Sequence, residues 1–173
     1  EKFSNEPFSG RVKGEINGTL KNGRFEKEVF FYHDNGQLIK NGNFTKGVPD
    51  NNWKFYDENG DIVIDGILTN GDFKGHDKDN RVIRGKINEN LNFHGEWFEY
   101  FDGKVRLESM WDDGNKLYHI QYDDFGKKKD KFSFDYGFKP LTFSSSNPEK
   151  LRHWDSFEDG KLVNKYSYYS SGK

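Results

Sequence analysis

Five histidines, 29 carboxylates and 27 basic side chains are the residues with which this chain of 173 could do chemistry. The histidines are His33, His76, His94, His119 and His153. None belongs to a His-x-x-x-His pair or flanks a glutamate in the manner of a zinc helix. His33 and His153 fall at non-equivalent places in the repeat described below, so they form no ladder, and each of the five reads as an ordinary surface histidine. Asp77-x-Asp79-Asn80 and Asp112-Asp113-Gly114-Asn115 look like the start of a calcium loop. Neither is followed by the bidentate glutamate at the required distance, and Asp/Asn/Gly clusters form turns in their own right. The absence of cysteine excludes disulfides, thiolate metal sites and a cysteine nucleophile. No Gly-x-Ser-x-Gly elbow anchors a serine triad. Glycines near phosphate-loop spacing fall at hairpin turns, not between a strand and a helix. A glycosidase-type carboxylate pair needs a cleft, which an open sheet does not offer. Lys127-Lys128-Lys129, flanked by Asp123-Asp124 and Asp130, reads as a solvated turn. The expectation is a chain with no catalytic residue, no cofactor and no metal.

The elements that carry these residues are strands. Seventeen Phe, nine Tyr and four Trp dominate an apolar fraction of only 32%, glycines number 19, and there is no alanine. Such a composition disfavours helices and suits strands and turns. Lys+Arg at 27 nearly balances Asp+Glu at 29, and the balance holds in both halves of the chain. Duplex nucleic acid requires a basic face, and a membrane anchor a basic cluster; neither is present. No apolar run approaches the ~20 residues of a membrane-spanning helix. The first residue is Glu1, which reads as a processed or trimmed chain of either cytoplasmic or exported origin.

A period organises the chain. An Asp/Asn-Gly type of turn recurs at positions 36, 60, 80, 103, 126, 149 and 172, with spacings of 24, 20, 23, 23, 23 and 23. A second turn follows each of the first six by 11 residues, at Gly47, Gly71, Leu91, Gly114, Gly137 and Gly160. With Gly36, Gly60, Gly103 and Gly126, these are the expected turn glycines. Each repeat is then two strands with short loops, a tandem of antiparallel hairpins. The fold predicted is all-β: one elongated, twisted β-meander over residues 1–173, six to seven repeats long, clearest in 24–111 and degenerate in 125–160. The third repeat is short, so residues 72–80 are expected to form a truncated strand or a break.

Columns at even offsets from the turns share a strand face. They place Phe31, Phe44, Trp53, Phe55, Leu68, Trp97, Trp111, Ile120, Phe134, Phe143 and Phe157 on one apolar face as the repeat core. An odd offset places Tyr32, Tyr56, Tyr100 and Tyr169 on the other face. These tyrosines either stiffen the sheet by cross-strand packing or form the surface that binds a partner.

Trp53-Lys54-Phe55-Tyr56-Asp57-Glu58-Asn59-Gly60, followed by aliphatic residues and Gly66, resembles the variant MORN repeat of bacterial proteins. Val29 to Leu38 with Gly42, and Gly95 to Val105, are further copies in phase. Lys165 to Gly172 is a weaker one. The resemblance implies consecutive hairpins in one long antiparallel sheet. It also implies a non-enzymatic role in protein–protein contact, one form of which is an antitoxin or immunity protein that neutralises a toxin. The alternatives it leaves are a structural or exported envelope protein and peripheral lipid binding. A terminal edge strand near residues 166–171 could also pair two copies of the chain.

Overall fold

A computed structural model describes residues 6–134 and 151–167. The chain is all-β among these residues. It divides into two compact units, residues 1–71 and 72–173. The first unit holds β1 (Gly10–Val12), β2 (Ile16–Lys21), β3 (Arg24–Tyr32), β4 (Leu38–Thr45), β5 (Val48–Tyr56) and β6 (Ile62–Thr69). The second holds β7 (Asp72–Asp77), β8 (Val82–Ile87), β9 (Phe93–Phe101), β10 (Lys104–Asp112), β11 (Asn115–Tyr122), β12 (Lys128–Phe134), β13 (Leu151–Glu158) and β14 (Lys161–Ser167). In each unit the strand order is the sequence order and neighbours run antiparallel. The predicted hairpin meander is the observed topology. Gly137, Phe143 and Tyr169 lie outside the described residues.

Two kinds of connection alternate along much of the chain. Asn22-Gly23, Lys46-Gly47, Asn70-Gly71, Asp102-Gly103, Asp113-Gly114 and Asp159-Gly160 have both residues at positive φ. That is the two-residue hairpin turn whose twist matches the strands. The others are longer loops capped by a side chain. Asp57 Oδ1 accepts hydrogen bonds from the Asn59 and Asp61 amides at 2.9 and 3.0 Å. Asp77, Asn88 and Asp123 repeat this bonding at their loops. In the longer loops only one residue takes positive φ: Gly36, Gly60, Asn80, Leu91 or Gly126. Asp77 and Asp79 are thereby explained as parts of a capped loop that Arg81 clamps, at 3.6 and 3.1 Å. Residues 72–80 form no break between β7 and β8, which pair from Asp72↔Lys86 to His76↔Val82. The short repeat is absorbed in strand length, six residues in each.

A further bond joins successive repeats. The Gly47 amide donates to the Phe25 carbonyl (2.9 Å), Gly114 to Phe93 (2.8 Å) and Gly23 to Phe8 (2.8 Å). Three of the tight turns are thus tied to the strand or segment one hairpin earlier.

The core of the first unit is Val29, Phe44, Trp53, Phe55, Val63, Ile64 and Leu68, all buried. The core of the second is Phe73, Ile83, Ile87, Leu91, Phe93, Trp97, Leu107, Trp111 and Phe134. Phe31 is half-buried on this side; Phe157, expected on the same face, is half-buried on the opposite one, because it stands three residues after Trp154 in a regular stretch of β13. Two of the tryptophans lie flat on glycines of the preceding strand. A methyl group added at Gly42 would fall inside the Trp53 indole, and one at Gly85 inside the Trp97 indole. Burying such a ring removes about 200 Å² from water, worth about 5 kcal/mol before entropic costs.

Candidate protein-binding face

The face opposite the core is set by bulges. Near the start of β3, β5 and β9, two extra residues are inserted against the partner strand. Within each insertion one residue is left-handed: Lys27 (φ 65), Asn51 (φ 61) and Gly95 (φ 69). All three stand four residues after the turn residue. In β11 that position is Tyr118, an aromatic disfavoured at positive φ. Only one residue is inserted there, as Met110 pairs with Tyr118 and Trp111 with Lys116. A one-residue difference exchanges the two faces of a strand. Ile120 was expected on the Trp53/Trp97 face; it is buried, but it pairs with Glu108 and so lies on the opposite face. His119, expected at the surface, is instead fully buried, because the exchange puts it across from Ser109, which itself faces Trp97.

The exchange brings together aromatic residues that the sequence columns separated. On the second unit's outer face, Arg84, Phe98, Glu108, Ile120 and Lys131 form one cross-strand row. Tyr100, Met110, Tyr118 and Tyr122 flank it. The Tyr122 hydroxyl donates to Glu108 Oε2 at 2.7 Å. Desolvation first, then this bond, raises the Tyr122 pKa, and desolvation and Glu108 raise that of Tyr118. Both phenols are therefore neutral donors near neutral pH. Lys131 Nζ sits 4.5 Å from the Tyr118 ring centroid, and the Arg84 guanidinium 5.4 Å from that of Tyr100. At the loop end of the sheet Phe101, which by alternation follows Trp97 and Glu99 and not Tyr100, is 56% exposed, and Phe125, at a loop tip, is 84% exposed. Arg106 reaches over Phe101 and also pairs with Asp124. Lys104 Nζ donates to the Asp124 carbonyl, which holds the two loops side by side.

The predicted tyrosines occupy different settings. Tyr56 donates to Asn41 Oδ1 (2.9 Å), and Asn41 Nδ2 donates to Glu28 Oε1 (2.7 Å), so Tyr56 is fastened across β3–β5. Tyr32 lines an open depression of about 500 Å³ with Glu15, Asn17, His33 and Asp34. Tyr100 packs 6.4 Å from Phe98. All three are half-buried.

The second unit's core face carries a polar cluster that the columns did not reveal. Ser109, Lys116 and His119 are fully buried, and Glu99 nearly so. Glu99 accepts from Arg81 Nη1 at 3.0 Å; burial raises its pKa, with Arg81 opposing. Burial pushes Lys116 down to about 7, and its ammonium lies 5.6 and 5.5 Å from the Trp111 and Phe134 ring centroids. Burial, aided by Lys116, pushes His119 down to about 3, and neither ring nitrogen has a hydrogen-bond partner. Ser109 Oγ accepts from Trp111 Nε1 at 2.8 Å. With Ser109 and His119 sealed from solvent, no substrate reaches this pair. Among the described residues no group of three or more His, Asp or Glu is placed to hold a metal. Among the described residues no helix is long and apolar enough to cross a membrane.

The fold and this face define an antiparallel hairpin-repeat protein with an aromatic outer surface. Comparison of the sequence with protein-family models and with curated proteins finds no match.

Proposed function

We propose that this chain is a non-enzymatic protein–protein interaction module built of MORN-like repeats, acting through the outer aromatic face of its second unit. The observation that carries the reading is the outer-face group of Phe98, Tyr100, Tyr118 and Tyr122 with Arg84 and Lys131 among the rings, together with the exposed Phe101 and Phe125 at the adjoining loop end, where Arg106 reaches over Phe101. Aromatic residues, methionine and arginine are the types enriched at interface centres and hot spots. A phenylalanine as exposed as Phe125 contributes nothing to a core, so its contact value is free for a partner. The neutral phenol of Tyr122, already bonded to Glu108, is held in place before contact, which lowers the ordering cost of association. The resemblance to variant MORN repeats makes a cognate toxin the concrete candidate partner, bound and covered as an antitoxin or immunity protein would do.

The test is capture from the lysate and culture fluid of the source organism, with stoichiometry and identity of the bound protein read by mass spectrometry. Phe101→Ser/Phe125→Ser alters only exposed rings and should leave the thermal transition unchanged while abolishing capture. A partner retained by this variant, but lost with Tyr32→Ala/Tyr56→Ala, moves the site to the first unit. No stoichiometric partner in any lane refutes the reading.

A further inference from the structure

The open depression of about 500 Å³ at Tyr32 lies between two loops of the first unit, residues 13–15 and 33–37. Tyr32 supplies a ring to it, and Glu15 and Asp34 supply a carboxylate from each loop. Its walls are fixed by hydrogen bonds. The Tyr32 amide donates to the Glu15 carbonyl (2.8 Å), the Gly36 amide to the His33 carbonyl (2.8 Å), and the Gly14 amide to Asn17 Oδ1 (2.9 Å). Gln37 Nε2 donates to the Glu58 carbonyl, which fastens the next loop, residues 57–61, beside them. The three loops join β1 to β2, β3 to β4 and β5 to β6, so they share one end of the antiparallel order. They carry Glu15, Asp34, Asp57, Glu58 and Asp61 against a single lysine, Lys13. Among the described residues none of these five carboxylates is in an ion pair. The loops of the second unit carry their own counter-charges: Arg81 pairs with Asp77 and Asp79, Arg106 with Asp124, and Lys127 with Asp159. The first unit therefore presents an uncompensated negative field around a preformed depression with an aromatic wall.

We propose that this depression seats an arginine side chain of a basic protein segment, with further basic side chains of that segment over Asp57, Glu58 and Asp61. A guanidinium is always charged and planar. It stacks on an aromatic face while its fork of donors meets carboxylates, which is what Tyr32, Glu15 and Asp34 offer together. A neutral ligand gains nothing from five unpaired carboxylates. A single small cation fills the depression but leaves the adjoining acidic loop uncovered, whereas an extended basic chain covers both. The walls are in place before contact, so little is spent on ordering them. The site belongs to the first unit and does not rest on the aromatic face of the second.

The test takes the full chain and a short fluorescein-labelled peptide of alternating arginine and glycine, read by fluorescence anisotropy. Binding should be saturable and should weaken as salt is raised. Glu15→Gln/Asp34→Asn should weaken it about tenfold. Asp72→Asn/Glu89→Gln removes the same charge from exposed positions of the second unit and should leave it unchanged. Tyr32→Leu should lose about threefold, and Tyr32→Phe, which keeps the ring, should bind as the native chain does. The two carboxylates are exposed, so their variant decides the matter should Tyr32→Leu fail to fold. Phe101→Ser/Phe125→Ser should bind the peptide undiminished, which separates this site from the aromatic face. Absence of saturable binding overturns the inference. So do equal losses in the two charge variants, which leave only a diffuse field, or full affinity in a folded Tyr32→Leu chain. Methylguanidinium that competes as tightly as the whole peptide also overturns it, because the site is then one for a small cation.

Discussion

His119 should make this protein acid-sensitive, and replacing it should remove that sensitivity. The ring is fully buried between Phe132 and Phe134, 4.9 and 5.5 Å away by centroid, and neither nitrogen is hydrogen-bonded. Its folded pKa is about 3 against an ordinary 6.5. A lowered folded pKa means that the unfolded chain binds the proton first. The contribution to stability is therefore complete above the ordinary value and is lost as pH falls from there toward the folded value. At about pH 5 the unfolded histidine is almost fully charged while the folded one is neutral. From about pH 7 to about pH 5 the loss comes to about 2 kcal/mol. His119→Leu keeps the volume near that of the native ring and removes the proton site. Glu99 and Lys116 belong to the same buried cluster and are present in both proteins, so the difference between the two proteins reports mainly on His119. Urea unfolding followed by tryptophan fluorescence at a series of pH values gives that difference, which should grow by about 2 kcal/mol over the interval. The histidine ring resonances give a direct check. A His119 signal that titrates near its ordinary pKa in the folded protein, or a pH-independent difference between native and variant, refutes the reasoning.

Gly42→Ala and Gly85→Ala should each cost about 3 kcal/mol, because the new methyl enters the space of a buried indole that a packed core cannot move cheaply. Gly60→Ala, at φ +85 with nothing within 4 Å, should cost only about 1–2 kcal/mol from backbone strain; urea midpoints of the three variants check the order. Lys27→Gly should stabilise by up to about 1 kcal/mol, because it relieves a left-handed lysine at φ 65 on an exposed bulge. A lower midpoint for that variant would show that the lysine side chain matters more than its backbone.

The repeat was legible in the sequence because its two strongest signals are local. Glycine and asparagine mark where φ must turn positive, and tryptophan and phenylalanine mark where a strand must face inward. Leu91 and Asn80 hold left-handed positions where glycine was missing, so the period survived its loss. What stayed hidden depends on counting residues inside a strand. The left-handed bulge residue was Lys27 once, Asn51 once and Gly95 once, three types with no shared pattern. Its omission at Tyr118 reversed β11, concealed His119 in the core and brought Tyr118 and Tyr122 to the outer face. Even offsets are a valid guide to a face only while the number of inserted residues is constant. The two kinds of turn were hidden for a related reason. Asn59-Gly60 and Asp102-Gly103 look alike in sequence, but Asp57 can cap only the first as a longer loop.

The amides that the turns at Gly23, Gly47 and Gly114 lend to the preceding segment bear on how such a chain comes apart. In a linear array, stability is the sum of what each repeat has alone and what each boundary adds, and the balance sets how far melting spreads from any opening. Bonds such as Gly47 to Phe25 and Gly114 to Phe93 enlarge the boundary share. A repeat that opens takes with it a donor used by its predecessor, so the predecessor is weakened in turn. Loss then travels toward the N-terminal side within a unit more readily than away from it. Hydrogen-exchange protection should accordingly be graded by hairpin instead of uniform, with the amides of Gly47 and Gly114 exchanging no later than the hairpins they follow.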